Sequence, residues 1–248
     1  KYVEKMMAGY ECMFGKSPSS NNVTSPLEKG DHPEIDTSEL LDEEGTQQYQ
    51  SLIGSMQWAI SLGRFDIQVA VMTLSGFRAA PRRGHLERAK RVYSYLTKMR
   101  HSTIRVRTGE PDYSGLAEQD YDWTYTPYGN VKEQVPHDMP EPLGKFVTLT
   151  HFFDANLYHD LLTGRSVTGI LHFLNQTPID WYAKKQSTVE TATYGSEFVA
   201  ARTCIEQVMD LRTTLHYLGV PIRQKSFIFG DNKSMIDSAS IPHAKLHK

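Results

Sequence analysis

Three carboxylates, Asp154, Glu197 and Asp231, occupy positions from which a folded chain could bring acids together. Asp154 closes an alternating run, KFVTLTHFFDA. Glu197 falls about two turns into a long helical pattern. Asp231 closes the short apolar run KSFIFGDN. In open sheets, sites form beyond strand ends or where neighbouring strands part. Two Asp at such ends, with a Glu facing them from a helix, can converge on one point. Clustered carboxylates repel each other unless a cation neutralises them. Oxygen ligands of this kind suit Mg²⁺ or Mn²⁺, and two such ions can activate a water and stabilise the leaving oxygen in phosphodiester hydrolysis. Each acid alone also has a plain structural reading. Asp154 could be a loop residue, Glu197 an exposed helix charge, and Asp231, followed by Asn232, a turn former. Their shared placement on strand end, helix and strand end favours the cluster, as do the small neighbours of Glu197, namely Ala192, Gly195 and Ala200.

The elements that must position these acids are predicted as strand, strand, strand, helix, strand, helix, an α/β arrangement. The first strand is expected to end at Asp154. GRSVTGILHFLNQTPIDWYAKK reads as two strands joined at Asn175-Gln176-Thr177-Pro178. A helix is predicted from about Val189 to Gly219, with Phe198, Ala201, Ile205, Val208, Leu211, Leu215 and Leu218 as its buried stripe. Gly219 and Pro221 mark its stop. KSMIDSAS begins the last helix, and Asp237 lies inside it.

Upstream, residues 1–14 read as a short helix, with Val3, Met6, Met7 and Tyr10 near one face. Residues 15–45 are rich in Ser, Pro, Asn and acids, and are expected to form a loose acidic linker. Residues 46–108 carry three helical patterns: Tyr49, Leu52, Ile53, Met56 and Ile60; then Ile67, Val71 and Leu74; then Leu86, Ala89, Val92, Tyr93 and Leu96. The third is basic, and Arg83, Arg88 and Arg91 make it either a solvated face or a phosphate-contact surface. Residues 109–144 read as an irregular connector with a hairpin at TPYGNV. Its aromatics, among them Tyr113, Trp123, Tyr125 and Tyr128, are expected to pack on a neighbouring domain rather than stack on bases.

A net charge of −2 excludes a surface coated in basic residues but not a local basic face. Two distant cysteines, Cys12 and Cys204, argue against a disulfide framework and for a reducing, intracellular setting. No apolar run approaches the ~20 residues that cross a bilayer, so no membrane partner is expected. The start lacks an initiating Met, and the chain is expected to be a piece of a longer polypeptide.

Residues 145–248 resemble the ribonuclease H domain of copia-type retrotransposon polyproteins. The resemblance rests on DANLYHD, TGRSVTGILHFL, DWYAKKQSTVE, TATYGSEFVAA and FGDNKSMID. QYQSLIGSMQWAISLGRFDIQVAV and PRRGHLERAKRVYSYL resemble the reverse transcriptase thumb or connection segment of the same polyproteins. The resemblance implies a ribonuclease H-like mixed sheet, truncated at its end, behind a small helical domain. It implies hydrolysis of the RNA strand of an RNA–DNA hybrid during reverse transcription, leaving 3′-hydroxyl and 5′-phosphate ends. Asp154, Glu197 and Asp231 fall on the family's catalytic, metal-binding carboxylates for two Mg²⁺ (or Mn²⁺). Gln186, Ser187, Thr188 and Asn232 fall where the hybrid's backbone approaches. The implied partners are the hybrid and the remaining reverse transcriptase domains, in the cytoplasm (virus-like particle) or nucleus. Related domains carry a fourth acid beyond the second short helix, so the site is expected to be incomplete here. The polymerase Tyr-x-Asp-Asp signature is absent, and DNA synthesis is not expected.

Two other readings compete: a non-catalytic ribonuclease-H-like module that only positions nucleic acid, and a helical binding module with the strands as scaffold.

Overall fold

A computed structural model describes residues 1–19, 23–116, 121–127, 129 and 131–242 of the 248. Its contacts divide it into two compact units. One comprises Lys1–Ile104 with Asp160–Gly164; the other comprises Arg105–His159 with Arg165 onward.

The first unit is helical. α1 (Tyr2–Phe14), α2 (Glu43–Ser61), α3 (Gln68–Ser75) and α4 (Arg83–Lys98) surround one apolar core. The residues at helical spacing do meet there: Tyr49, Leu52, Ile53, Met56, Ile67, Val71, Leu74, Leu86, Ala89, Val92, Tyr93 and Leu96 are all buried. Asp42 caps α2 by accepting from the Gly45 N–H at 2.8 Å.

The acidic segment before α2 is not the loose connection its composition suggested. Val23 and Pro33 are buried, and its carboxylates grip α4. Arg88 donates through Nε and Nη2 to Asp31, and through Nη1 to Asp36 at 2.6 Å. Glu28 pairs with Arg91 and Glu39 with Arg83. His85 is buried beneath this segment, its Nε2 at 2.8 Å from the Pro33 carbonyl. Burial raises the Asp36 carboxyl, but hydrogen bonds from Ser38 and Arg88 outweigh it and hold the group at about 2.

The second unit is mixed α/β. β1 (Leu149–Asp160), β2 (Arg165–Leu174), β3 (Thr177–Lys185) and β4 (Phe227–Phe229) form a four-stranded sheet of order β3-β2-β1-β4. β2 and β3 are antiparallel and β1 and β4 parallel. α5 (Thr193–Tyr217) connects β3 to β4, and α6 (Lys233–Ser240) follows. Asn175, with φ +53°, turns β2 into β3. Gly219, with φ +66°, ends α5 where a helix stop was expected.

Two expectations need correction. β1 does not end at Asp154; it continues to Asp160, so Asp154 projects from mid-strand. The stripe expected on α5 holds only in part: Ala201, Val208 and Leu215 are buried as expected. Phe198, Ile205 and Leu218 are exposed, while Glu197, Ala200 and Cys204 are buried. The helix carries apolar residues on most of its circumference, so periodicity did not select a face; contact with Phe153, Ala155 and Ile170 does.

Tyr113 in the connector packs on Phe227 and Phe229 of β4 and hydrogen-bonds Thr150 through its hydroxyl at 2.9 Å. Trp123 is half-buried and Tyr125 is exposed. The hairpin expected at TPYGNV includes Tyr128 and Asn130, which lie outside the described residues.

Candidate metal centre

Asp154 and Asp231 reach the same place from neighbouring parallel strands. Phe152 of β1 is in register with Phe229 of β4, so positions 154 and 231 each lie two residues further along their chains. At Asp154 the strand alternation turns the side chain to solvent, while Phe153 and Ala155 point into the core. Asp231 stands in the bend between β4 and α6. The chain can pass there because position 230 is glycine: a Cβ would lie 2.3 Å from the buried Phe153 ring. Asn232 caps α6, its side chain accepting from the Met235 N–H at 3.0 Å.

Glu197 comes from the first turns of α5, on the face turned to the sheet. It is 2% exposed. Its Oε1 accepts from the Ala155 N–H at 3.3 Å, and its Oε2 is buried without a partner. One oxygen from each of Asp154, Glu197 and Asp231 lies within 4.8 Å of the others. Burial pushes the Glu197 carboxyl up, the charges of Asp154 and Asp231 push it further, and it reaches about 7 although the Ala155 N–H opposes the rise. An unpartnered, buried carboxylate oxygen beside two more carboxylates is costly to leave without a counter-charge. A donor set made only of carboxylate oxygens fits a hard divalent cation such as Mg²⁺ or Mn²⁺.

The other residues singled out from the sequence are placed differently. Ser187 and Thr188 are exposed in the bend after β3. Gln186 is buried, its amide bonded to Thr168 and to the Ser196 carbonyl. Asn232 is engaged as a helix cap. Arg83 is exposed and pairs with Glu39, whereas Arg88 and Arg91 are largely covered and bonded to acids. Asp237 is not in the cluster. Sequence reasoning missed the Ala155 amide and Gly230. Glycine immediately before the candidate ligand was the available signal for the second; no side-chain signal exists for a backbone N–H.

No family model matches the chain, and no solved structure matches it. Among known proteins, a putative transposon Ty5-1 protein of Saccharomyces cerevisiae is 37% identical over 101 residues, which is 41% of this chain and 29% of that protein. The retrovirus-related Pol polyprotein from transposon TNT 1-94 of Nicotiana tabacum is 25% identical over 248 residues, 99% of this chain and 16% of the polyprotein. Secreted RxLR effector protein 161 of Plasmopara viticola is 25% identical over 161 residues, 65% of this chain and 89% of that protein. The chain thus spans less than a third of the two transposon proteins. No described helix is long and apolar enough to cross a membrane. Along nearly its whole length, this chain is similar to a segment of retrotransposon Pol polyproteins.

Proposed function

We propose that the chain is a retrotransposon polyprotein segment whose second unit is a ribonuclease H-like nuclease, hydrolysing the RNA strand of RNA–DNA hybrids. The observation that carries this reading is the convergence of Asp154, Glu197 and Asp231 around a buried, unpartnered carboxylate oxygen. The element order and the sheet order β3-β2-β1-β4 support the same fold class, and similarity to Pol polyproteins supports the setting.

In this reading Asp154, Glu197 and Asp231 hold the divalent cations. Bound Mg²⁺ supplies charge neutralisation at the scissile phosphodiester and lowers the pKa of a water. Glu197, whose Oε1 accepts from the Ala155 N–H, supplies the inner, buried oxygen of the cluster. Asp154 and Asp231, at the solvent side, leave room for a backbone phosphate. Exposed Ser187 and Thr188 are the candidates for contacts to that backbone in this unit, and Arg83 in the first unit. Arg88 and Arg91 serve the fold through their acids. Selectivity for the hybrid rests on the RNA 2′-hydroxyl and duplex shape rather than on base sequence.

Incubation of the protein with an end-labelled RNA–DNA hybrid and Mg²⁺ tests the reading. Cleavage of the RNA strand that Asp154→Asn abolishes is expected. Binding without cleavage, equal in both proteins, would leave the non-catalytic binding module as the correct reading.

A further inference from the structure

We infer that Gln186 is the positioning residue for Glu197: its side-chain amide staples the first turn of α5 to β2 and so sets how tightly the carboxylate cluster holds a cation. The inference rests on reading the cluster as a cation site.

Gln186 directly follows β3 and is 5% exposed. Its own N–H donates to the Ser166 carbonyl at 2.8 Å, which ties its backbone to β2. Its Nε2 donates to Thr168 Oγ1 at 3.0 Å and to the Ser196 carbonyl at 2.9 Å. A primary amide has two N–H protons, and both are used. The opposite amide orientation would set its oxygen against the Ser196 carbonyl, two acceptors face to face, so the bonding partners fix the orientation. The amide oxygen, Oε1, is buried without a partner. The N–H bonds therefore hold the group in place against that cost.

The Ser196 carbonyl belongs to the peptide unit that leads into Glu197. Peptide units are planar. Holding that oxygen holds the plane from which the Glu197 Cα and side chain depart. Elsewhere in the first turn of α5, Tyr194 packs on the core and its hydroxyl donates to Ser238 of α6 at 3.0 Å, but neither contact fixes the peptide before Glu197. The N-cap of α5 is Ala192, which offers no side-chain acceptor to the free N–H groups of the first turn. The direct bond on the carboxylate is a single 3.3 Å contact to Ala155. Like-charge repulsion from Asp154 and Asp231 acts to push Glu197 outward. Without the staple, the first turn can fray and Glu197 can leave the cluster.

The test uses the cation itself as probe. Mn²⁺ is titrated calorimetrically into metal-free wild type, Gln186→Met, Thr168→Val and Val208→Ala, and thermal unfolding in EDTA is recorded for each. Met preserves length and burial but cannot donate. Val208→Ala loosens the core of α5 without touching the staple. Supporting groups around metal ligands are typically worth about 10–100-fold in affinity, so Gln186→Met is expected to weaken Mn²⁺ binding about tenfold or more. Thr168→Val, which frees one end of the amide, is expected to cause a smaller loss in the same direction. Val208→Ala is expected to lower the melting temperature with Mn²⁺ affinity unchanged. If Gln186→Met shows no cooperative melting, Thr168→Val carries the comparison. Wild-type affinity in both staple variants, or an equal loss in Val208→Ala, overturns the inference. Absence of Mn²⁺ binding by wild type overturns the cation reading instead, so the two failures are distinct.

Discussion

His151 and His172 face each other inside the second unit, with their Nδ1 atoms 2.7 Å apart. His172 Nε2 lies 3.0 Å from Gln207 Oε1, an acceptor, so it carries the proton and His172 Nδ1 accepts. His151 therefore donates from Nδ1, and its Nε2 is a bare, buried acceptor without a partner. Burial holds the His151 imidazole at about 3, with the charges of His172 and Arg212 adding to the effect. Its ordinary value is 6.5. The unfolded chain thus takes up a proton as pH falls below about 6.5 and the folded one does not. The stability this imidazole contributes is complete above that pH and is lost progressively toward pH 3. Urea unfolding of wild type and His151→Leu should diverge in this window by about 1.4 kcal/mol per pH unit. The difference between the two proteins is the measure, because Glu197 drives stability the other way over the same range and His85 the same way.

Glu197→Gln should separate stability from cation binding. Replacing a buried carboxylate that faces two others is expected to stabilise the metal-free protein at pH 8 by about 1–3 kcal/mol. The same change should abolish the rise in melting temperature that Mn²⁺ gives wild type, since a cation stabilises only the state that binds it. Differential scanning fluorimetry with EDTA and with Mn²⁺ reads both effects.

Arg88 and Arg83 lie on one helix but in different surroundings. Arg88→Met leaves Asp31 and Asp36 facing each other, both largely covered, with no cation. A loss of about 3–5 kcal/mol is expected. Arg83→Met breaks an exposed pair and should cost less than about 1 kcal/mol. Chemical denaturation of the two variants checks the contrast, and hybrid binding by the Arg83 variant tests whether that exposed guanidinium contacts phosphate.

Gly230→Ala should damage the passage from β4 to Asp231. The added methyl would need the space of the Phe153 ring, and overpacking of this kind costs about 1–3 kcal/mol. Mn²⁺ affinity should fall with it, because Asp231 is the next residue. Gly169→Ala, with nothing within 4 Å of its added Cβ, is the control and should be near neutral in urea unfolding.

Much of this architecture can be read from residue spacing. The three helical patterns between Tyr49 and Leu96 alternate strongly enough that their buried faces follow from the 3.6-residue period. The strand–helix–strand order and the identity of the three acids follow from the sequence as well. Three features do not. β1 runs past Asp154 because the ladder overrides the poor strand propensity of Asp154-Ala155-Asn156. The acidic segment is ordered because Asp31 meets an arginine 57 residues away, a pairing that composition cannot express. The phase of α5 is set by the sheet beneath it, and that phase turns Glu197 inward. Sequence alone therefore determined which residues could hold a cation. Tertiary structure decided that they meet, and that one of them is buried, because both depend on contacts between residues far apart in the chain.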